Sequence, residues 1–272
     1  MYAHEREKMS RSNTAEQWGR LWRDAPGRLK ELRFGVEKAE KSLIWSSIRE
    51  SLGETDISSL STVEIGAGAG TISAVFARHG ARVTVLDYSK EALDVNAALF
   101  ESFGLKQDSL LADALKLPTS LLGRFDVAMS FGLAEHFEAD DRTRIIKAHF
   151  DLLRPGGLVV ITVPNRHCWP YRIWKARREL IGKWHFGMEI PYSRAEISRI
   201  CLEVGVKDFH ITGSPFLASF DFVIPFARWK RSIEKRILKD KRFDPSRIVQ
   251  ERTGPLGPYL GYALVLIARK PA

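Results

Sequence analysis

Short apolar runs alternate with amphipathic stretches between residues 60 and 165, and this alternation is the dominant pattern of the chain. The stretch before the last run places Ile145, Ala148 and Leu152 on one face of a helix. Apolar strands that alternate with helices form a parallel sheet covered by helices. The pattern therefore predicts an α/β domain, with strands near residues 63–65, 83–87, 110–111, 125–131 and 158–161.

The chain before this region follows a different pattern. Residues 1–59 are predicted to be helical, because Trp18, Leu21 and Trp22 recur among many charged residues. We interpret residues 1–59 as an N-terminal lid or extension that packs on the sheet. Residues 60–272 are predicted to form the main domain.

After residue 165 the sequence predicts an irregular stretch, then a helix, then a strand near residues 206–212. Ser193 and Glu196 mark the start of this helix, because they have the spacing of a capping box. Residues 213–258 are interpreted as an insertion before a last strand at residues 259–269.

The most specific local signal is the turn after the first predicted strand, where Gly66, Gly68 and Gly70 occupy alternate positions. Glycine allows positive φ and lets a ligand approach the backbone closely. The G-x-G-x-G spacing differs from the G-x-G-x-x-G of dinucleotide sites, and Glu64 would repel a pyrophosphate but suits an ammonium group. Asp87 ends the second strand, where its carboxylate can accept hydrogen bonds from both ribose hydroxyls. These features predict a site for a nucleoside that carries an ammonium group and no phosphate.

This block resembles the nucleotide-binding motif of the class I S-adenosylmethionine-dependent methyltransferases. Residues 110–114, 124–132 and 152–161 are similar to further motifs of that family and follow in the family's order. The resemblance implies a Rossmann-like, doubly wound, mostly parallel sheet of seven strands, with an antiparallel final strand and an insertion between the last two strands. It also implies S-adenosylmethionine as the cofactor and a small-molecule acceptor, with O-methylation favoured, as for the O-methyltransferases of quinone biosynthesis. The tryptophans near residues 166–192 favour an aromatic or lipid-like acceptor.

The resemblance implies cofactor contacts along the first half of the domain. An acidic side chain at Asp113 is expected to bond the adenine amino group, and Asp87 is expected to bond the ribose. The expected cofactor-binding residues are Glu64, Gly66, Ala67, Gly68, Gly70, Asp87, Tyr88, Asp113, Ala114, Ser130, Phe131 and Gly132. No metal site is expected.

Methyl transfer requires mainly that two reactants are positioned, which can supply up to about 7–11 kcal/mol. A base that removes the proton of the acceptor adds roughly 10²–10⁴-fold. Glu135 and His136 follow the fourth predicted strand and resemble the Glu-His pair of small-molecule methyltransferases. His136 is the candidate base because histidine titrates near neutrality, and Glu135 is its neighbour. A histidine that only caps or packs against the next helix is the alternative, and the sequence leaves both open.

The net charge of +9 is concentrated in residues 166–185 and 216–242, which both combine basic with aromatic residues. In the second segment Phe226 and Trp229 begin an apolar helical stripe flanked by bases, which is typical of a helix on an anionic membrane. A helix docked on its own domain gives the same pattern. A nucleic-acid surface is a third interpretation that we rank lower, because no RNA-binding module accompanies the stripe.

Composition narrows the functional classes. No apolar run reaches the roughly 18 residues of a membrane span. Cys168 and Cys201 give neither a disulfide framework nor the spacing of a metal site. We therefore expect a cytoplasmic methyltransferase, with peripheral contact at the inner face of the membrane as a hypothesis. An RNA or protein methyltransferase and a catalytically silent cofactor-binding protein are the alternatives, and the oligomeric state stays open.

Overall fold

The computed structural model describes residues 13–23, 26–223 and 254–271. Its strands are β1 (Ser61–Ile65), β2 (Arg82–Asp87), β3 (Asp108–Leu111), β4 (Phe125–Phe131), β5 (Leu153–Pro164), β6 (Phe209–Gly213) and β7 (Ala263–Arg269). They form one seven-stranded sheet in the order β3-β2-β1-β4-β5-β7-β6. The strands β1 to β5 pair in parallel, and β7 runs antiparallel to β5 and β6. The predicted fold class is confirmed, including the antiparallel final strand.

The α-helices of the described chain are α1 (Ala15–Arg23), α2 (Leu29–Glu40), α3 (Leu43–Leu52), α4 (Thr71–Arg78), α5 (Lys90–Glu101), α6 (Asp141–Leu152), α7 (Trp169–Leu180), α8 (Arg194–Glu203) and α9 (Gly257–Leu260). None of them has the length and apolar composition that a membrane-crossing helix requires.

Two hydrophobic cores lie on the two faces of the sheet, because successive strand residues point to opposite sides. On one face Ile145 of α6 and Ile197 of α8 pack on Val63 and Ala128 of the strands. On the other face α2, α3, α4 and α5 cover the alternate strand residues. This double covering explains why the strands read as continuous apolar runs in the sequence.

The N-terminal helices are part of the fold around the cavity described below. Helix α2 packs on α4, and α1 packs on α5. Trp22 of α1 partly covers the glycine turn, since a Cβ added at Gly68 would lie 2.6 Å from its ring. The helical prediction for this part of the chain therefore holds for α1, α2 and α3.

Several details differ from the sequence predictions. The stretch predicted as irregular after residue 165 contains the helix α7, whose first turn holds Pro170. The Pro155-Gly156-Gly157 turn lies inside β5, where the β4–β5 register shifts. The last strand begins at Ala263, because α9 precedes it. The stripe that contains Phe226 and Trp229 lies outside the described residues.

Candidate functional site

A cavity of about 1170 Å³ opens at the carboxyl ends of the parallel strands, the position at which open α/β sheets bind ligands. Its lining comes from the loops after β1, β2, β3 and β4, from α1, and from α7 with the residues that follow it. Most of the predicted cofactor-binding residues and both predicted catalytic residues are on this lining.

The glycine turn forms one wall of the cavity with its backbone. Gly66, Gly68 and Gly70 have φ values of 62°, 51° and 66°, in the left-handed region that favours glycine. A Cβ added at Gly70 would lie 2.0 Å from Nδ2 of Asn96, so space as well as conformation requires glycine there. Ala67 lies between them and also lines the cavity.

Glu64 is buried beneath this turn and links it to α4. Its Oε2 accepts hydrogen bonds from the Ser73 hydroxyl at 2.5 Å and the Ser73 backbone N–H at 3.3 Å. Burial raises the pKa of Glu64 to about 7, while the bonds from Ser73 oppose the rise. A cation bound in the cavity would stabilise the ionised form of this carboxyl, as expected for a site that receives an ammonium group.

Asp87 is held at the end of β2 by two backbone groups. Oδ2 accepts from the Gly68 N–H at 3.0 Å and Oδ1 accepts from the Ser89 N–H at 2.9 Å. Each oxygen keeps a further lone pair for a ligand hydroxyl. Tyr88 follows on the cavity wall, and its hydroxyl donates to the Asn13 carbonyl at 2.8 Å.

The next predicted contacts divide into two groups. Asp113 and Ala114 line the cavity, and the Asp113 Oδ1 accepts from the Leu115 N–H at 2.9 Å. Phe131 and Gly132 also line it. Ser130 is fully buried in β4 and is not part of the cavity lining, so the structure does not bring its side chain to the site.

Glu135 and His136 occupy a short 3₁₀ turn after β4 and are both buried. His136 Nδ1 donates to the Met188 carbonyl at 2.6 Å, which leaves the lone pair on Nε2. Burial lowers the pKa of His136 to about 4. Burial raises the pKa of Glu135 to about 8, and among the described residues its Oε2 has no hydrogen-bond partner.

This turn is fixed by contacts from distant parts of the chain. The Asn13 amide donates to the His136 carbonyl at 2.7 Å and the Met188 carbonyl at 3.3 Å. The Ile190 N–H donates to the Glu135 carbonyl at 2.8 Å. Arg142 Nη1 donates to the Ile190 carbonyl at 2.9 Å and the Phe137 carbonyl at 3.2 Å. Segments before and after the sheet therefore hold the two predicted catalytic side chains in place.

Part of the cavity is lined by clustered aromatic rings, and we call this part the acceptor chamber. Its rings are those of Tyr171, Trp174, Trp184, Phe186, Phe222 and Tyr262. Tyr171 is central, with its ring centroid 4.6 Å from that of Tyr262 and 5.2 Å from that of Phe222. The Tyr171 hydroxyl donates to Oε1 of Glu189, which also lines the chamber.

The polar groups around the glycine turn fit S-adenosylmethionine. The buried Glu64 suits its ammonium, Asp87 suits its ribose, and Asp113 suits its adenine amino group. Within residues 13–23, 26–223 and 254–271, no three His, Cys, Asp or Glu side chains are arranged as a metal site.

Sequence reasoning missed Asn13, Arg142 and Tyr262. No local motif surrounds them, and each acts on a residue far away in the chain. The Arg142 guanidinium also lies 3.6 Å from the ring centroid of Tyr192 and pairs with Glu196 at 2.7 Å. A buried arginine in the first turn of an amphipathic helix looks in the sequence like an ordinary solvated charge.

Comparisons with known proteins agree with this geometry. Residues 63–157 match a family model described as a methyltransferase domain. The chain is 31% identical over 159 residues to a ubiquinone biosynthesis O-methyltransferase from Aromatoleum aromaticum, covering 57% of this chain and 67% of the relative. It is 29% identical over 136 residues to a protein of the same description from Caulobacter sp., covering 50% of this chain and 53% of the relative. The chain thus spans about half to two thirds of the length of these relatives.

Solved structures show the same fold. A SAM-dependent methyltransferase from Thermotoga maritima matches with a TM-score of 0.57 at 17% identity, covering 93% of this chain and 99% of that chain. A magnesium protoporphyrin IX methyltransferase from Synechocystis, solved with bound SAM, matches with a TM-score of 0.52 at 14% identity, covering 86% of this chain and 80% of that chain. The chain therefore belongs to the class I S-adenosylmethionine-dependent methyltransferases, of the type found among the O-methyltransferases of quinone biosynthesis.

Proposed function

We propose that this enzyme methylates a hydroxyl group of a small aromatic acceptor bound in the acceptor chamber. The observation that carries the proposal is the continuity of one cavity from the glycine turn to the chamber, with Glu135 and His136 on its wall. Glu135 lies at the cofactor end, because a Cβ added at Gly132 would be 3.4 Å from its Oε1. The relatives named as O-methyltransferases support oxygen as the methylated atom.

The chain's residues have separate roles in this proposal. S-adenosylmethionine supplies an activated methyl group on its sulfonium. Glu64 and Asp87 hold the cofactor through its ammonium and its ribose, and Asp113 holds the adenine. The aromatic rings of the chamber exclude water and align the acceptor, which is the main contribution that positioning makes to methyl transfer.

We assign removal of the acceptor proton to Glu135 and a positioning role to His136. His136 is held in its neutral form by burial and donates Nδ1–H to Met188. Neutral His136 can accept a proton at Nε2, but a group with a pKa of about 4 is a weak base. Glu135, with a pKa of about 8, becomes ionised close to working pH and is the stronger base.

A methyl-transfer assay with radiolabelled S-adenosylmethionine tests the proposed function. We expect the labelled methyl group to be transferred to a hydroxyl of catechol-type compounds. We expect no transfer to compounds whose hydroxyls are already methylated. The fully methylated compounds are the matched controls, because they keep the ring and lack the donor. Labelling of RNA or peptides, with none of catechols, would contradict the proposal and support the alternative function.

We also propose a peripheral contact with anionic membranes through residues 216–242, in an enzyme that works in the cytoplasm. Part of this segment lies outside the described residues, so the proposal is supported by the sequence of the segment and by the surface of α7. Trp169, Ile173 and Leu180 of α7 are exposed apolar side chains, and Arg172 and Arg177 are exposed on the same helix. Apolar side chains mixed with bases are typical of surfaces that lie on anionic lipid.

A further inference from the structure

The charge of the cavity lining is opposite to the charge of the whole chain. The chain carries a net charge of +9, yet among the described residues that line the cavity seven are carboxylic acids and one is a lysine. The acids are Glu64, Asp87, Asp113, Glu135, Glu138, Asp141 and Glu189, and the lysine is Lys38. Three of these acids are accounted for by the proposed cofactor contacts, which leaves four. Of these four, Glu189 contacts Tyr171 in the acceptor chamber, and Glu135 is buried in the turn after β4.

Glu189 is a carboxylic acid of the acceptor chamber to which no role has been assigned. It is partly buried, its Oε1 accepts from the Tyr171 hydroxyl, and burial raises its pKa. The positive charge of Lys175 acts on Glu189, and Lys175 also pairs with Glu179. The Lys175 Nζ also lies 4.6 Å from the ring centroid of Trp184. The described lining of the large cavity therefore presents the Glu189 carboxyl to a ligand, while Arg166, Arg172 and Lys175 adjoin Glu189 in a second, smaller cavity.

Resting on the proposed function, we propose that Glu189 makes the acceptor chamber select rings that carry no carboxylate or phosphate. Clustered aromatic rings such as those of Tyr171 and Tyr262 favour an aromatic ligand. An anionic substituent would lie near the Glu189 carboxylate in surroundings of low dielectric, where like charges repel strongly. Hydroxyl donors are favoured, because the Glu135 Oε2 lacks a partner among the described residues.

A binding experiment with two matched ligands tests the selectivity. The ligands are 4-methylcatechol, which is neutral, and 3,4-dihydroxybenzoate, which carries a carboxylate in place of the methyl group. Binding is measured by calorimetry in the presence of S-adenosylhomocysteine, so that no turnover occurs. We expect the wild-type enzyme to bind the neutral ring roughly 10- to 100-fold more tightly.

Two variants separate a local effect of Glu189 from a general effect of charge. Glu189→Gln keeps an acceptor oxygen for the Tyr171 hydroxyl and removes the charge, so it should reduce the preference by roughly fivefold or more. Glu203→Gln removes one charge from the exposed end of α8, where Glu203 pairs with Arg199, and should leave the preference unchanged.

Equal binding of both ligands by the wild-type enzyme, or binding of neither, overturns the inference. An unchanged preference in Glu189→Gln overturns the role of that residue. Methyl transfer to 4-methylcatechol tests the proposed function in a separate experiment. Selective binding without methyl transfer would contradict the proposed function and leave the selectivity of the chamber standing.

Discussion

The pH dependence of the reaction separates Glu135 from His136 as the base. Only the ionised carboxylate of Glu135 can accept a proton, and burial raises its pKa to about 8. At pH 7 about a tenth of the enzyme then carries this form, so kcat/KM should rise about tenfold per pH unit below 8 and level off above it. His136, with a pKa of about 4, is neutral throughout this range and would give a flat profile. The other titratable or charged groups that act on Glu135 are Glu189, Arg142, Tyr171, Tyr192 and Tyr262.

Substitutions of Glu135 and His136 are expected to lower kcat/KM by different amounts. Glu135→Gln should lower kcat/KM by roughly 10²–10⁴-fold at pH 8 and remove the inflection, because the amide cannot accept the proton. His136→Asn retains an N–H that can donate to the Met188 carbonyl, so it should keep the inflection and lose less activity. The affinity for S-adenosylmethionine should change little in either variant, since neither side chain is assigned to the cofactor.

Stability gives a second measurement that does not depend on turnover. The pKa of Glu135 is higher in the folded protein than its ordinary value of 4.5, so the folded state binds a proton that the unfolded state has released. The stabilisation is fully present below pH 4.5 and is lost as the pH rises through about 8. Relative to Glu135→Gln, the wild-type free energy of unfolding should therefore fall over this window by up to about 5 kcal/mol. A wild-type rate profile that stays flat from about pH 6 to pH 9, or an inflection that persists in Glu135→Gln, would refute the assignment.

Three further predictions concern the cofactor, the glycine turn and the membrane. Asp87→Ala should weaken the binding of S-adenosylmethionine by about 1.5–3 kcal/mol in calorimetry, because hydrogen bonds to a charged group are lost, and NAD should not bind to the wild type. Gly70→Ala should lower the free energy of unfolding far more than Gly53→Ala does. Both positions have positive φ, but only at Gly70 would a Cβ meet a side chain, at 2.0 Å. Gly53→Ala should cost roughly 1–3 kcal/mol from its backbone conformation alone, because a φ of 59° with a ψ of −129° is rarely adopted by a residue with a Cβ; chemical denaturation can show this. Replacing Phe226 and Trp229 by Ser should reduce binding to anionic liposomes without changing cofactor affinity. If the wild type ignores liposomes and the double variant melts early, the stripe packs on the protein itself.

The cofactor half of the site could be predicted because its determinants are local. The spacing of Gly66, Gly68 and Gly70 reflects backbone angles that only the turn itself requires, and Asp87 lies at a strand end. Parallel strands bring such ends to one edge of the sheet whatever the rest of the chain does. The fold could also be predicted from local sequence, because buried parallel strands appear as continuous apolar runs.

For the acceptor half the sequence indicated an aromatic or lipid-like acceptor but not the geometry of the site, because that geometry depends on contacts between distant segments. Helix α7 shows no clear apolar stripe, since Ile173 and Leu180 are exposed while Tyr171 is buried against Phe222 and Tyr262. Helix α7 packs on these residues outside the sheet, whereas the other helices of the domain have an apolar stripe because they pack on the strands.

The start of α8 shows how a correct local prediction can still miss the function of a residue. Ser193 caps the helix, and its hydroxyl accepts from the Glu196 N–H at 3.1 Å as the capping box predicts. The Glu196 side chain, however, pairs with Arg142 and Arg166 instead of returning to the cap. The competing partner is buried and charged, which outweighs a solvent-exposed capping bond.

This division of the site has a consequence for how the enzyme selects its acceptor. The proposed cofactor contacts come from the loops after β1, β2 and β3, whereas the chamber is built from α7, residues 184–189, Phe222 and Tyr262. The two halves meet at the turn of Glu135 and His136, which Asn13 and Arg142 hold by hydrogen bonds to main-chain carbonyls. Main-chain contacts do not depend on the identity of the chamber side chains. On the proposed assignment, the chamber can therefore vary in sequence, and with it the acceptor, while Glu135 and the cofactor site keep their positions.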